Sequence, residues 1–229
     1  ILEGLVFLHQ NRIVHRNLSL ENVLLTKQGA VKLSEYGVYY ITDYGADVSF
    51  PIGLPRYLPP EVLCLGPVTV EDDTGHCLQP VSGPKADVWS FGIILLELIL
   101  GRELWSGLSV REMLMKTIEL IKTEMSPVDY LSQDPAVSKK LKGVSKEMLD
   151  VLRLCLSVTS SKRAQSEELI QHPLFNKMRE TAVKFSDDHL SQRSMQEVYY
   201  LWRLAGGDLD TVLRKAGMSR TRTPVNLLP

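Results

Sequence analysis

No charge of either sign dominates this 229-residue chain: 26 Lys and Arg stand against 27 Asp and Glu, a formal net charge of −1. Without a basic excess or a block of like charges, nucleic acid is not expected as a partner. Cysteine is scarce, with Cys64, Cys77 and Cys155 widely spaced and odd in number. That argues against a disulfide framework and for a reducing compartment, hence a cytoplasmic location. The five histidines show no metal-ligand spacing with them, and His76 beside Cys77 lacks the further ligands of a zinc site. Long apolar runs are missing too. The longest, FGIILLELILG, carries Glu97 and is too short to cross a bilayer, so no transmembrane segment is expected. The chain opens at Ile1 with neither an initiator Met nor a signal peptide, and reads as a piece of something longer.

What is present is ordinary globular composition, 44% hydrophobic and 23% charged, enough for one large domain with an appendage. In ILEGLVFLHQ, the residues Leu2, Leu5, Val6 and Leu8 make a helical stripe. VLL and AVKL, separated by TKQG, predict two short strands about a tight turn. Residues 66–84 hold three prolines and the acidic Glu71, Asp72 and Asp73, the composition of a mobile surface insertion. KADVWSFGIILLELILG predicts a helix apolar nearly all round, and therefore buried on all sides. Ser109 and Glu112 form a capping box for a further helix, with Met113, Leu114, Ile118 and Ile121 as its inner face. Met148, Leu149, Leu152 and Cys155 give another such face. Near the end, Ser194 with Glu197 predicts a helix over about 194–205, and Asp208 one over about 208–216, around Gly206-Gly207.

The richest stretch is His15–Leu25, HRNLSLENVLL. It has the outline of the protein kinase catalytic loop, H-R-D-L-x-x-x-N. VKLSEYG follows where kinases carry the metal-binding D-F-G, then GLPRYLPPE in place of the segment ending in A-P-E. DVWSFGIILLEL is similar to the buried central helix of the large lobe, and SKRAQSEELIQHPLF to its last helices. Four stretches, HRNLSLEN, FPIGLPRYL, SGPKADVWSFGIILLEL and EVYYLWRLAGGDLD, resemble the family of TBC-domain-containing protein kinase-like proteins.

The resemblance implies a protein kinase-like fold, mainly α with a small β-hairpin. Residues 1–176 would be its large lobe alone, and 177–229 a linker with two short helices. The small lobe, with its Gly-rich phosphate loop, is not encoded in this stretch. In that family a Rab-GTPase-activating TBC domain and a rhodanese-like domain follow the kinase-like domain. The small lobe and TBC domain of a longer chain, together with unidentified proteins, are therefore the expected partners.

Carried over residue by residue, the resemblance puts Asn17 where a kinase has the carboxylate that accepts the substrate's proton. An amide can hold a hydroxyl but cannot take its proton, a loss of about two to four decades in rate. Ser19 replaces the catalytic-loop Lys, and Leu54 the Thr that bonds both of those partners. Asn22, a magnesium ligand in kinases, is kept, while Glu35 replaces the D-F-G Asp. Glutamate keeps the charge but adds a methylene to a site with little tolerance for distortion, which leaves room only for weak ATP or magnesium binding. The structural set is intact: His15, Arg16, Asp87 tying the central helix to the catalytic loop, and Glu61 paired with Arg163. The expectation is a pseudokinase acting as a regulatory or scaffolding module. One alternative is an active atypical Ser/Thr kinase that uses Glu35 and Asn22 for metal, with Asp43 or Asp47 as base. Another is a bare helical interaction fragment.

Overall fold

The computed structural model describes residues 1–26, 30–36, 53–65, 83–180 and 190–194. Helix α1 (Leu2–Gln10) buries Leu2, Leu5 and Leu8 on its inner face. The chain then runs extended to a 3-10 turn (Leu20–Asn22) and into β1 (Val23–Thr26). Strand β1 pairs antiparallel with β2 (Val31–Leu33), with Val23 opposite Leu33 and Leu25 opposite Val31. This is the predicted hairpin.

A third strand was not anticipated. Strand β3 (Leu190–Ser194) pairs antiparallel with the other edge of β1, giving the order β2-β1-β3. Ser194, expected to open a helix, is the last residue of this strand. The sequence Leu-Ser-Gln-Arg-Ser has no β-branched or aromatic residue, so nothing local marks it as a strand. The rest of the two tail helices lies outside the described residues, as does most of the insertion expected at 66–84.

The core is built on α3 (Pro84–Leu100), in which every residue from Ala86 to Ile94 is buried. The helix begins at Pro84 because proline's fixed φ and missing N–H suit a first turn, and it stops at Gly101 with φ +68. A short 3-10 turn (Pro55–Tyr57) and α2 (Pro60–Leu65) precede it. Helix α4 (Val110–Thr123) opens with the capping box expected at Ser109 and Glu112. Its inner face differs from the prediction. Thr117 and Leu120 are buried, whereas Met113, Leu114 and Ile118 are half-buried and Ile121 is exposed. Thr117 can occupy the inner face because its hydroxyl donates to the Met113 carbonyl (2.9 Å).

Helices α5 (Pro127–Leu131), α6 (Pro135–Lys142) and α7 (Lys146–Cys155) each open on a side-chain cap, from Ser126, Asp134 and Ser145. Helix α7 buries Val151, Leu152 and Cys155. It approaches α3 closely at Gly92, where a Cβ would lie 2.6 Å from that of Cys155. Two short helices complete the lobe, α8 (Ser166–Leu169) and α9 (Pro173–Glu180), the second running through residue 176 without a break. Among the described residues no helix is long and apolar enough to cross a membrane.

Candidate functional site

The loop that carries the motif is held by one carboxylate. Asp87, on the first turn of α3 and 1% exposed, accepts from the His15 N–H (2.7 Å, Oδ2) and from the Arg16 N–H (2.8 Å, Oδ1). The same Oδ2 lies 2.8 Å from His9 Nε2, and His9 Nδ1 lies 2.7 Å from the Ser166 hydroxyl. His9 thus bridges Asp87 and Ser166, and one chain of hydrogen bonds ties α3 to α1 and α8. Ser166 is fully buried and its hydroxyl donates to Glu167 Oε2 (3.0 Å), which suits bracing. Arg16 sits at φ +64 and Glu35 at φ +56, sparsely populated conformations for side-chain-bearing residues. His15 is buried, its ring meets Tyr36 edge-on at 6.2 Å, and burial lowers its pKa against the opposing pull of Asp87.

Around this scaffold the chemical positions are amide, hydroxyl and alkyl. The Asn17 N–H donates to His15 Nδ1 (3.3 Å), and the Asn17 carbonyl accepts from Asn22 Nδ2 (2.7 Å). Asn22 is thereby committed to bracing the loop, with its carbonyl also accepting from the Ser34 N–H (2.9 Å). Only its side-chain oxygen is left as a donor to a cation, and Glu35 is exposed. Ser19 is 2% exposed and its hydroxyl has no partner among the described residues. Gly53, at φ +111, brings the next segment against this loop: a Cβ there would lie 3.1 Å from the Arg16 carbonyl and 3.8 Å from Asn17 Oδ1. Leu54 follows, packed against the core, and offers the loop no hydrogen bond from its side chain.

The other structural pair is also brought together. Arg163, whose side chain is fully buried, donates to both Glu61 oxygens (2.6 and 3.0 Å) and to the carbonyls of Ser157 and Lys85. It also lies over the Trp89 ring at 5.0 Å. The fork geometry is what lets one guanidinium serve a carboxylate and two backbone acceptors at once.

Sequence reasoning missed three residues of this interior. His9 and Ser166 are ordinary polar letters until the fold sets them 2.7 Å apart. Glu97 read only as a charge interrupting an apolar run. It is fully buried and accepts from the Tyr57 hydroxyl (2.7 Å) and the Leu104 N–H (2.7 Å), with Arg56 at 3.7 Å. Burial raises its pKa despite those donors. The signal that could have found it is the charge itself, since a carboxylate inside an all-buried helix demands partners.

This architecture, a loop hung from the first turn of a buried central helix and flanked by a short hairpin, is that of a kinase large lobe. The chain belongs to the protein kinase domain family, whose signature matches residues 1–175. Over its whole length it is similar to TBC domain-containing protein kinase-like proteins, 38% identical to one from Gallus gallus and 35% to one from Homo sapiens. It spans 29% of the length of each. The Serine/threonine-protein kinase PAK 1 of Mus musculus is 31% identical across 75% of the chain.

Proposed function

We propose that this is the large lobe of a pseudokinase, a regulatory or scaffolding module in a longer TBC protein of the Rab-GTPase-activating kind. The observation that carries the reading is Asn17. The loop supports are all present, yet the position that must accept a proton holds an amide. Ser19 adds no charge to offset a transferred phosphoryl group, and Leu54 adds no hydrogen bond between the two. Likeness to proteins named for a TBC domain supports the placement in a longer chain, whose small lobe and TBC domain would be the nearest partners. Unpaired cysteines support a cytoplasmic setting.

The test is phosphotransfer by the longer protein that contains this lobe, unmodified and as Asn17→Asp. Neither should exceed a variant that also lacks Glu35 and Asn22. Robust transfer by the single Asn17→Asp reversion would show the losses at Ser19 and Leu54 to be incidental. The competing reading, an active atypical kinase, draws on the surviving Asn22 and Glu35. Transfer by the unmodified protein, abolished by Glu35→Ala, would establish it. A thermal-shift titration with ATP and Mg²⁺ separates weak nucleotide binding from none.

A further inference from the structure

Strand β1 has two edges, and they are satisfied in different ways. Toward β2, the Thr26 N–H donates to the Ala30 carbonyl (2.8 Å) and the Asn22 carbonyl accepts from the Ser34 N–H (2.9 Å). Backbone groups alternate sides along an antiparallel strand, so those of Val23 and Leu25 point to the opposite edge, where β3 lies. Left open, that edge would present unpaired donors and acceptors on a strand whose own side chains are largely buried, a template for any extended chain. The segment that covers it is poorly suited to a permanent strand. Its composition is polar, and its register is irregular: Leu24 pairs with Ser194 but Thr26 with Leu190, so three residues of β1 face five of β3. It also lies against the Leu20–Asn22 turn, which holds Asn22 in its bond to Asn17.

We propose that Leu190–Ser194 is a cis-docked strap, a weakly held strand that closes the β1 edge beside the candidate site and opens reversibly to expose it. Docked, it stiffens the turn that carries Asn22. This does not depend on whether the lobe transfers phosphate.

Residue-resolved hydrogen exchange on the full chain tests it, with two variants: deletion of residues 190–194, and Ser191→Pro, which removes a backbone donor that alternation from Leu190 turns toward β1. In both variants the Leu25 amide, the one inside the paired register that points toward β3, should exchange about tenfold faster or more, with Asn22 loosened to a smaller degree. The amides of Thr26, bonded toward β2, and Ile94, in the middle of α3, serve as controls and should not change. If the deletion also loosens Ile94, the lobe itself has suffered and the proline variant decides. Equal protection of Leu25 in parent and proline variant would overturn the strap, as would its rapid exchange in the parent. Protection that rises with protein concentration would place the strand on a second copy and overturn its assignment in cis.

Discussion

At the scale of single residues, the decisive feature is a carboxylate that accepts from the backbone. Asp87→Ala should cost about 2–4 kcal/mol in urea denaturation, because the buried His15 N–H, at about 1–3 kcal/mol, and the part-buried Arg16 N–H, at about 1 kcal/mol, lose their acceptor. An unchanged midpoint would mean that the loop finds other acceptors. His15 makes a prediction about pH. Its folded pKa lies below the unfolded value of 6.5, so the unfolded chain takes up a proton that the folded chain resists. Stability should therefore fall as pH drops below 6.5 toward the folded value, and be fully present above it. His15→Asn, whose side-chain oxygen can replace Nδ1 as an acceptor, should flatten that slope between about pH 7.5 and about pH 5.5. A slope unaltered by the substitution would assign the dependence to other groups.

At the scale of elements, close packing and one ion pair set the expected costs. Gly92→Ala places a Cβ 2.6 Å from Cys155 Cβ and 2.8 Å from Leu156 Cδ2, so α3 and α7 must move apart. The cost should be about 1–3 kcal/mol, seen as a lowered melting temperature. Gly83→Ala, where a Cβ meets nothing, is the control. Glu61→Ala should cost about 2–3 kcal/mol, somewhat below the range for a fully buried pair. The Glu61 side chain is 26% exposed, and Arg163 keeps its carbonyl partners.

Elements also show what the sequence could disclose. Helix α3 was legible because it is apolar on every side, and the loop because its motifs come in a fixed order. The inner face of α4 was not, since a self-satisfied Thr117 sits inside while Ile121 faces water. Strand β3 was invisible because its pairing comes from the β1 edge and not from its own residues. His9, Ser166 and Glu97 escaped for a related reason: a buried polar group is defined by partners far away in sequence.

At the scale of the whole molecule, two cysteines report different openings. Cys155 is fully buried and its thiol pKa is pushed up by that burial, whereas Cys64 in α2 is half-buried. Of these two, alkylation of the native protein should label Cys64 first. Cys155 should react only through global opening, at a rate that rises with urea as stability falls. Early labelling of Cys155 would mean that α7 detaches from α3 on its own.

The hydrogen bonds gathered at Asp87 and His9 join residues separated by 71, 72, 78 and 157 positions. Contacts that distant require long loops to close before they return any stabilisation, and such closures slow folding. The loop bearing Asn17 should thus assemble late, after α1, α3 and α8 have met, and its geometry would report whether the whole lobe has folded. A partner that recognises this loop would, by that fact, distinguish finished chains from incomplete ones.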